Sequence, residues 1–500
     1  MRRIFYKIAI SVIVLVFMGA CKKDYLNTTP TTGVSQASAF TTTANALEAL
    51  NGIHRAMYSQ YSNQNEGGQG CIMIDMDMLG EDLVMTSAGN GWFNTQYQWT
   101  DHRNANSAFN YFVYRFYYII IANANMIINN IDAATGTDDK KLIKGEALAY
   151  RAWAHFQLVQ IFGSRYDATN KPNKQMGVPI MTTNTTAGVG RSSVEDVYTQ
   201  INADLDAANG LMQTSKRANR SHLNLNVAEG LKARVCLTQQ DWTNAAKYAA
   251  LARTPITGDP LTISLMNTTT YQMGFNDYTN PEWIWGSYVE PDQTLYFYSF
   301  FAYMSENYSS TNIRGNPKAI NSTLYNAISA TDVRKKLWDP TGTAFTVPLS
   351  TFTKAKYMNI KFLAVSSADS RGDVPYMRAS EMYLIEAEAK AQLGDNAGAA
   401  TALYTMEVVR DPSYVKSTNT GTALINEILL QRRIEFWGEG FRFLDLKRLN
   451  QPLNRNGANH QAALCTVFDI PAGDVRWQFL IPQTEMNANP AIVGQQNPLQ

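Results

Sequence analysis

The segment 428–450, ILLQRRIEFWGEGFRFLDLKRLN, constrains the fold more than any other part of this chain. Ile428, Ile434, Phe436, Trp437, Phe441, Phe443, Leu444 and Leu446 are apolar. Interleaved with them are Arg432, Arg433, Glu435, Glu439, Arg442, Asp445, Lys447 and Arg448. A helical register through the first half puts Leu430, Arg433, Ile434 and Trp437 on one side. Gly438 and Gly440 then end that helix, and a second short helix carries Phe441, Leu444 and Asp445. Charges set this densely among rings cannot all face water. Pairing satisfies them, with Glu435, Glu439 or Asp445 against the planar forks of Arg433, Arg442 or Arg448.

Two chemistries fit such a stretch. Two carboxylates could share acid and base roles, as in a glycosidase using Glu435 or Asp445. Alternatively, Arg433, Glu435, Glu439, Arg442, Asp445 and Arg448 form a buried ion-pair latch between two helices. The latch is the stronger reading, because an arginine beside a carboxylate keeps it ionised, whereas a general acid needs the opposite environment.

Other catalytic and cofactor signals are missing from the sequence. The five histidines (His54, His102, His155, His222 and His460) are scattered, and no HExxH, CxxC, Walker-type loop or GxSxG elbow occurs. No metal, zinc included, and no cofactor is expected. A net charge of +1 argues against a nucleic-acid partner, which needs a basic face.

The N-terminus reads as an address. Arg2, Arg3 and Lys7 precede an apolar run over residues 8–20 that is too short to span a bilayer, which is the pattern of a signal peptide. The run ends Met18-Gly19-Ala20-Cys21, which resembles a bacterial lipobox with Cys21 as the lipidated residue. Ordinary cleavage that leaves Cys21 free is the other reading. Residues 21–40, rich in Thr, Ser, Gln and Asn, read as a tether.

The body is mainly helical. Leu47, Leu50, His54 and Met57 give an amphipathic helix over 45–58, and a long aromatic helix is expected over 111–131. Leu148, Ala152, His155, Val159 and Phe162 make a stripe over 142–162, so His155 reads as a packed core residue. Ser192 or Ser193 caps a helix over 194–208 that has Glu195 and Asp196 in its first turn. Two segments, 228–252 and 386–409, look alike. Each pairs a small-residue helix with an alanine-rich one across a turn at Asp241 or Asp395. This resembles tetratricopeptide (TPR) helix pairs, here interrupted and not in tandem.

Two regions break the helical pattern. One carries Trp92, Asn94, Tyr97 and Trp99 among amides, and the other carries Tyr288, Tyr296, Tyr298 and Tyr303. A flat ring can cover the C–H face of a neutral sugar while amides bridge its hydroxyls. One such platform removes roughly 100 Å² of apolar surface, worth about 2.5 kcal/mol. Two or three platforms imply capture in the micromolar to millimolar range, once association costs are counted. These eight residues are the ligand-binding candidates, although loop rings also build cores and interfaces. Trp283 and Trp285 share one face of a possible strand, so at least one is expected in the core.

Several motifs together resemble the SusD/RagB family of outer-membrane nutrient-binding lipoproteins of Bacteroidetes. The run Glu435, Glu439, Gly440, Arg442, Asp445, Leu446, Lys447, Arg448 resembles the family's C-terminal signature. Gly145-Glu146-Ala147 with Arg151-Ala152 and Phe156, then Gly177-Val178-Pro179-Ile180, Arg378 with Glu381 and Tyr383-Leu384, and Ile481-Pro482 with Asn489-Pro490 extend the match over essentially the whole mature chain. The resemblance implies a mainly α SusD-like scaffold of TPR-like pairs, with long aromatic-rich loops and a few short strands. It implies a signal peptide over 1–20, a helical region over 41–255, a loop-rich ligand-face insertion over 256–375 and a C-terminal region over 376–500. It also implies noncatalytic glycan binding at the cell surface, an outer-membrane lipid anchor, and delivery to a SusC-like TonB-dependent transporter. Lys22-Lys23-Asp24 is less acidic than the family's favoured export tag. The same role with a peptide or other nutrient, a TPR scaffold binding peptide through 383–403, and a glycosidase remain as alternatives.

Overall fold

Side-chain caps set where the longer helices begin. In the computed structural model, which describes residues 40–214 and 216–499, Thr42 caps α1 (Thr43–Ala56) and Ser107 caps α3 (Ala108–Asn130). Asp139 caps α4 (Lys140–Phe162), Ser193 caps α5 (Val194–Leu211) and Asn224 caps α6 (Leu225–Thr238). Asp241 and Asp395 cap α7 (Trp242–Leu251) and α9 (Asn396–Glu407), so each expected turn at Asp is also the start of its pair's second helix. α8 (Ala379–Gln392), α10 (Gly421–Glu435) and α11 (Arg442–Arg448) complete the C-terminal part. Between α1 and α3, α2 (Gly68–Met78) is buried along its whole length, including Asp75 and Asp77. The expected signal peptide, Cys21 and all of the tether but Phe40 lie outside the described residues.

The helices pack in chain order: α3 on α4, α4 on α5, α5 on α6 and α6 on α7. α7 then packs directly on α8, although more than a hundred residues separate them in sequence. The TPR-like pairs that look interrupted in the chain are therefore neighbours in space, and the intervening segment loops out of the stack. His155 sits inside this stack, fully buried, with Nδ1 3.0 Å from the Arg151 carbonyl.

The looped-out segment is closed at its neck by a two-stranded antiparallel pair. β2 (Trp283–Gly286) pairs with β6 (Pro375–Arg378), with Trp283 opposite Arg378. All of β2 is buried: Trp283, Ile284 and Trp285 face core on both sides, so both tryptophans, of which at least one was expected there, are core residues. A four-stranded sheet joins the segment to the N-terminal region in the order β1 (Leu83–Met85), β3 (Lys318–Ile320), β5 (Met358–Asn359), β4 (Trp338–Asp339). Cys71, Cys236 and Cys465 are buried free thiols. Among the described residues no helix is long and apolar enough to cross a membrane.

Candidate ligand-binding face

The charge-rich C-terminal stretch locks the neck of the looped-out segment, but mostly with partners from elsewhere in the chain. Glu435, at the end of α10, is fully buried. It accepts from Arg378 Nη1 at 2.8 Å, Arg410 Nη2 at 3.0 Å, Arg334 Nη1 at 3.3 Å and the Tyr271 hydroxyl at 3.1 Å. Glu439 accepts from Arg378 Nη2 and Lys361 Nζ, both at 2.7 Å. Arg378 and Arg410 also hold Glu282, the residue before β2. The two ends of the segment and the end of α10 thus meet in one buried network.

The pairing expected within the stretch occurs only at Asp445 and Arg448, 2.7 Å apart, with Arg432 as the second partner of Asp445. Arg433 pairs instead with Asp82, Arg442 with Glu81, and Arg448 also with Glu388. Helix geometry explains the correction, because neighbouring charges on a short turn point outward to different elements. Gly440 lets the turn pass over α2: its φ is +81°, and a Cβ there would lie 2.8 Å from Met73 Cα.

Neither carboxyl is set up as a general acid. Burial alone would push Glu435 up, but Arg410, Arg378 and Arg334 hold it well below the usual carboxylate range. Asp445 is likewise raised by burial and pulled down by Arg432 and Arg448, to about 2.

The aromatic candidates divide into exposed and core residues. Tyr296 is 59% exposed and Phe297, its neighbour, 47%. Tyr296 holds a left-handed backbone, φ +47°, an uncommon conformation for a bulky residue and one enriched where structure serves a site. Tyr298 and Tyr288 are half-buried on the same loop. Trp92 and Asn94 are half-buried on the other loop, and Asn94 Oδ1 is buried without a hydrogen-bond partner.

Tyr97, Trp99 and Tyr303 are not surface rings. Tyr97 is buried with its hydroxyl on His460 Nδ1. Trp99 is buried against Trp477, ring centroids 5.0 Å apart, and its indole N–H donates to the Leu79 carbonyl at 3.0 Å. Tyr303 is buried and donates to the Gln64 carbonyl at 3.0 Å. Each ring finds an apolar wall and a polar partner supplied by remote segments, which removes it from the surface.

The two loops touch each other. Phe93, next to Trp92, packs edge-on against Tyr303 with centroids 5.1 Å apart, and Gln64 donates to the Phe297 carbonyl at 3.2 Å. The Asn90 amide donates to the Thr311 hydroxyl. Gly67 permits the close approach, since a Cβ there would lie 2.2 Å from the Tyr298 carbonyl oxygen. A cleft of about 570 Å³ is lined by Arg55, Tyr58 and Asn219 together with Tyr288, Glu290 and Gln293, which precede Tyr296 on its loop. Tyr288 packs over Tyr278 at 4.3 Å, and the Tyr58 hydroxyl donates to Gln293 Oε1 at 2.7 Å. Nothing in the residue pattern singles out Tyr58, Tyr278 or Gln293. Tyr58 reads as the end of a helix, and the other two stand outside the run of rings.

Family comparison agrees with this architecture over nearly the whole chain. A model of the SusD family matches residues 244–499, and a SusD-like model described as starch-binding associating with outer membrane matches residues 24–237. This chain belongs to the SusD/RagB family. None of the curated proteins compared with it matches. Among solved structures, a SusD-like carbohydrate binding protein from Bacteroides vulgatus is 25% identical, with TM-score 0.78 over 92% of this chain and 99% of that one. A SusD superfamily protein from Bacteroides thetaiotaomicron is also 25% identical, with TM-score 0.76 over 91% of this chain and all of that one. Surface glycan-binding protein A from Bacteroides fluxus, at 18% identity and TM-score 0.68 over 91% of this chain and 99% of that one, shares the fold. The SusD-like scaffold of TPR-like helix pairs expected from the sequence is therefore the fold of this protein.

Proposed function

We propose that this SusD/RagB protein is a noncatalytic glycan receptor, anchored in the outer membrane through Cys21, that passes its ligand to a SusC-like TonB-dependent transporter. The observation that carries the reading is Tyr296. Its ring is more than half exposed on a strained backbone, it stands beside Phe297, and residues that precede it on its loop line a polar cleft. An apolar ring held in water at a conformational cost suits a partner that covers it, and a pyranose face with hydroxyls reaching the cleft does so. Trp92 stands on the loop that touches this one. The names of the SusD-like relatives point to the same ligand class.

Affinity electrophoresis through gels containing single polysaccharides tests this reading. Retardation by one polysaccharide is expected, with affinity lowered up to about 60-fold by Tyr296→Ala, the loss of one platform worth about 2.5 kcal/mol. Trp92→Ala should weaken binding in the same gel. Retardation unchanged in both variants would reject this face as the site. Binding of a peptide and of no polysaccharide would reject the glycan. Co-purification with a TonB-dependent transporter tests delivery, and its absence from membranes of the native host would reject that part.

A further inference from the structure

Three side chains distant in sequence converge beside the cleft: His54 on α1 and His222 just before α6, which line it, and the buried Glu146 on α4. His54 Nε2 lies 3.1 Å from His222 Nδ1 and 3.6 Å from Glu146 Oε2, and His222 Nδ1 lies 3.4 Å from the same oxygen. Three atoms so spaced share a centre about 2.0 Å from each, which is the length of zinc bonds to imidazole nitrogen and carboxylate oxygen. The separations also match the roughly 3.3 Å edge of a tetrahedron built on such bonds.

The surroundings favour a cation. Glu146 is 1% exposed, and among the described residues its ion pairs are with these two imidazoles, while the buried Arg217 guanidinium acts on it from beyond ion-pair distance. Arg217, close by, donates instead to the carbonyls of His222 and Ile284. A buried carboxylate requires a compensating charge or hydrogen bonds. One hydrogen bond comes from the Leu223 N–H at 2.9 Å. The Tyr150 hydroxyl lies 2.6 Å from His54 Nδ1, the outer contact that orients a ligating histidine and leaves Nε2 for the metal. Two nitrogens and one oxygen suit zinc and exclude calcium, which takes six to eight oxygens.

We propose that His54 Nε2, Glu146 Oε2 and His222 Nδ1 bind one zinc(II) ion. With three protein ligands, a fourth position remains for water or for an oxygen atom of a molecule in the cleft. The site is independent of the exposed rings, so its failure would leave the glycan reading intact.

The test uses the full chain purified in detergent, stripped with chelator and dialysed against zinc(II). Elemental analysis should find one zinc per chain. His222→Ala and Glu146→Gln should weaken retention at least about 100-fold. Zinc should raise the melting temperature of the wild type and leave both variants unmoved. Cobalt(II) in the wild type should give the intense visible bands of a tetrahedral nitrogen–oxygen site, a readout that does not depend on either variant folding. Zinc content no higher in the wild type than in the folded variants, or a cobalt spectrum without tetrahedral bands, would overturn the proposal.

Discussion

Replacing Glu435 by glutamine should destabilise the protein by about 4 kcal/mol, within the range for breaking a buried ion pair by removing one partner. Glu435 is fully buried and faces three guanidinium groups. Glutamine keeps the shape but deletes the charge, so Arg334, Arg378 and Arg410 lose their shared counter-ion. Its amide N–H groups would also point at donors, because one Glu435 oxygen accepts from Arg410 Nη2 at 3.0 Å and the other from Arg410 Nε at 3.2 Å. Arg433→Met provides the comparison. The Arg433 side chain is 26% exposed, and its partner Asp82, though buried, keeps Arg442 Nε at 3.5 Å, so the loss should cost about 2 kcal/mol, between a screened pair and a fully buried one.

Urea unfolding followed by tryptophan fluorescence measures both. With an m value of about 4 kcal/mol/M for a chain this long, Glu435→Gln should lower the midpoint by about 1 M, and Arg433→Met by about half of that. Removing Arg410 in the Glu435→Gln background should cost less than in the wild type, with a coupling of about 1–3 kcal/mol. The Glu435 carboxyl is depressed in the folded state, so its stabilisation is present above its unfolded pKa and is lost only as the pH falls through the depressed value. The deficit of the variant should therefore be equal at pH 6 and pH 8 and shrink only in strong acid. Equal costs for the two single variants would refute the argument that burial sets the strength of this network. Reducing sugar released by wild type and not by Glu435→Gln would refute the noncatalytic reading.

Two further outcomes follow from other sites. Burial raises the Asp77 carboxyl to about 8, against backbone hydrogen bonds from Gly440 and Arg442 that lower it. The folded state thus holds this proton more tightly than the unfolded chain, so stability from this group is full below about pH 4 and falls as pH rises towards 8, by up to about 1.4 kcal/mol per unit. Asp77→Asn should flatten that fall, and parallel stability–pH curves for the two proteins would sink the assignment. Trp99→Ala should cost about 3–5 kcal/mol as a core truncation while leaving polysaccharide retardation of the folded protein unchanged. Lost retardation at full stability would put Trp99 back on the ligand face.

The helices were legible because their signals are local. The stripe around His155, the cap at Ser192 or Ser193, the turns at Asp241 and Asp395, and the paired alanine-rich segments all lie within a turn or two of what they specify. The family motifs were equally readable, and the SusD-like scaffold came with them. The latch was legible as a need for pairing but not as a set of partners. Arg334, Arg378 and Arg410 precede Glu435 by 101, 57 and 25 residues, and they reach it only because β2, β6 and the helix stack converge.

Ring exposure was legible only in part: Trp92, Tyr288, Tyr296 and Tyr298 reach the surface, whereas Tyr97, Trp99 and Tyr303 do not. Trp92 and Trp99 stand in the same amide-rich loop, yet Trp477 and Phe443 cover Trp99 and leave Trp92 half exposed. A loop has no period from which to read a buried face, so its burial depends on segments hundreds of residues away. The same holds for His54, Glu146 and His222, which look scattered along the chain and share one point in space. The sequence by itself determined the local elements and the family, because hydrogen-bonding caps and helical periodicity act over a few residues. Tertiary structure alone decided which charges pair, which rings meet water and which ligating atoms converge, because those depend on packing between segments whose separation along the chain carries no record of their distance in the fold.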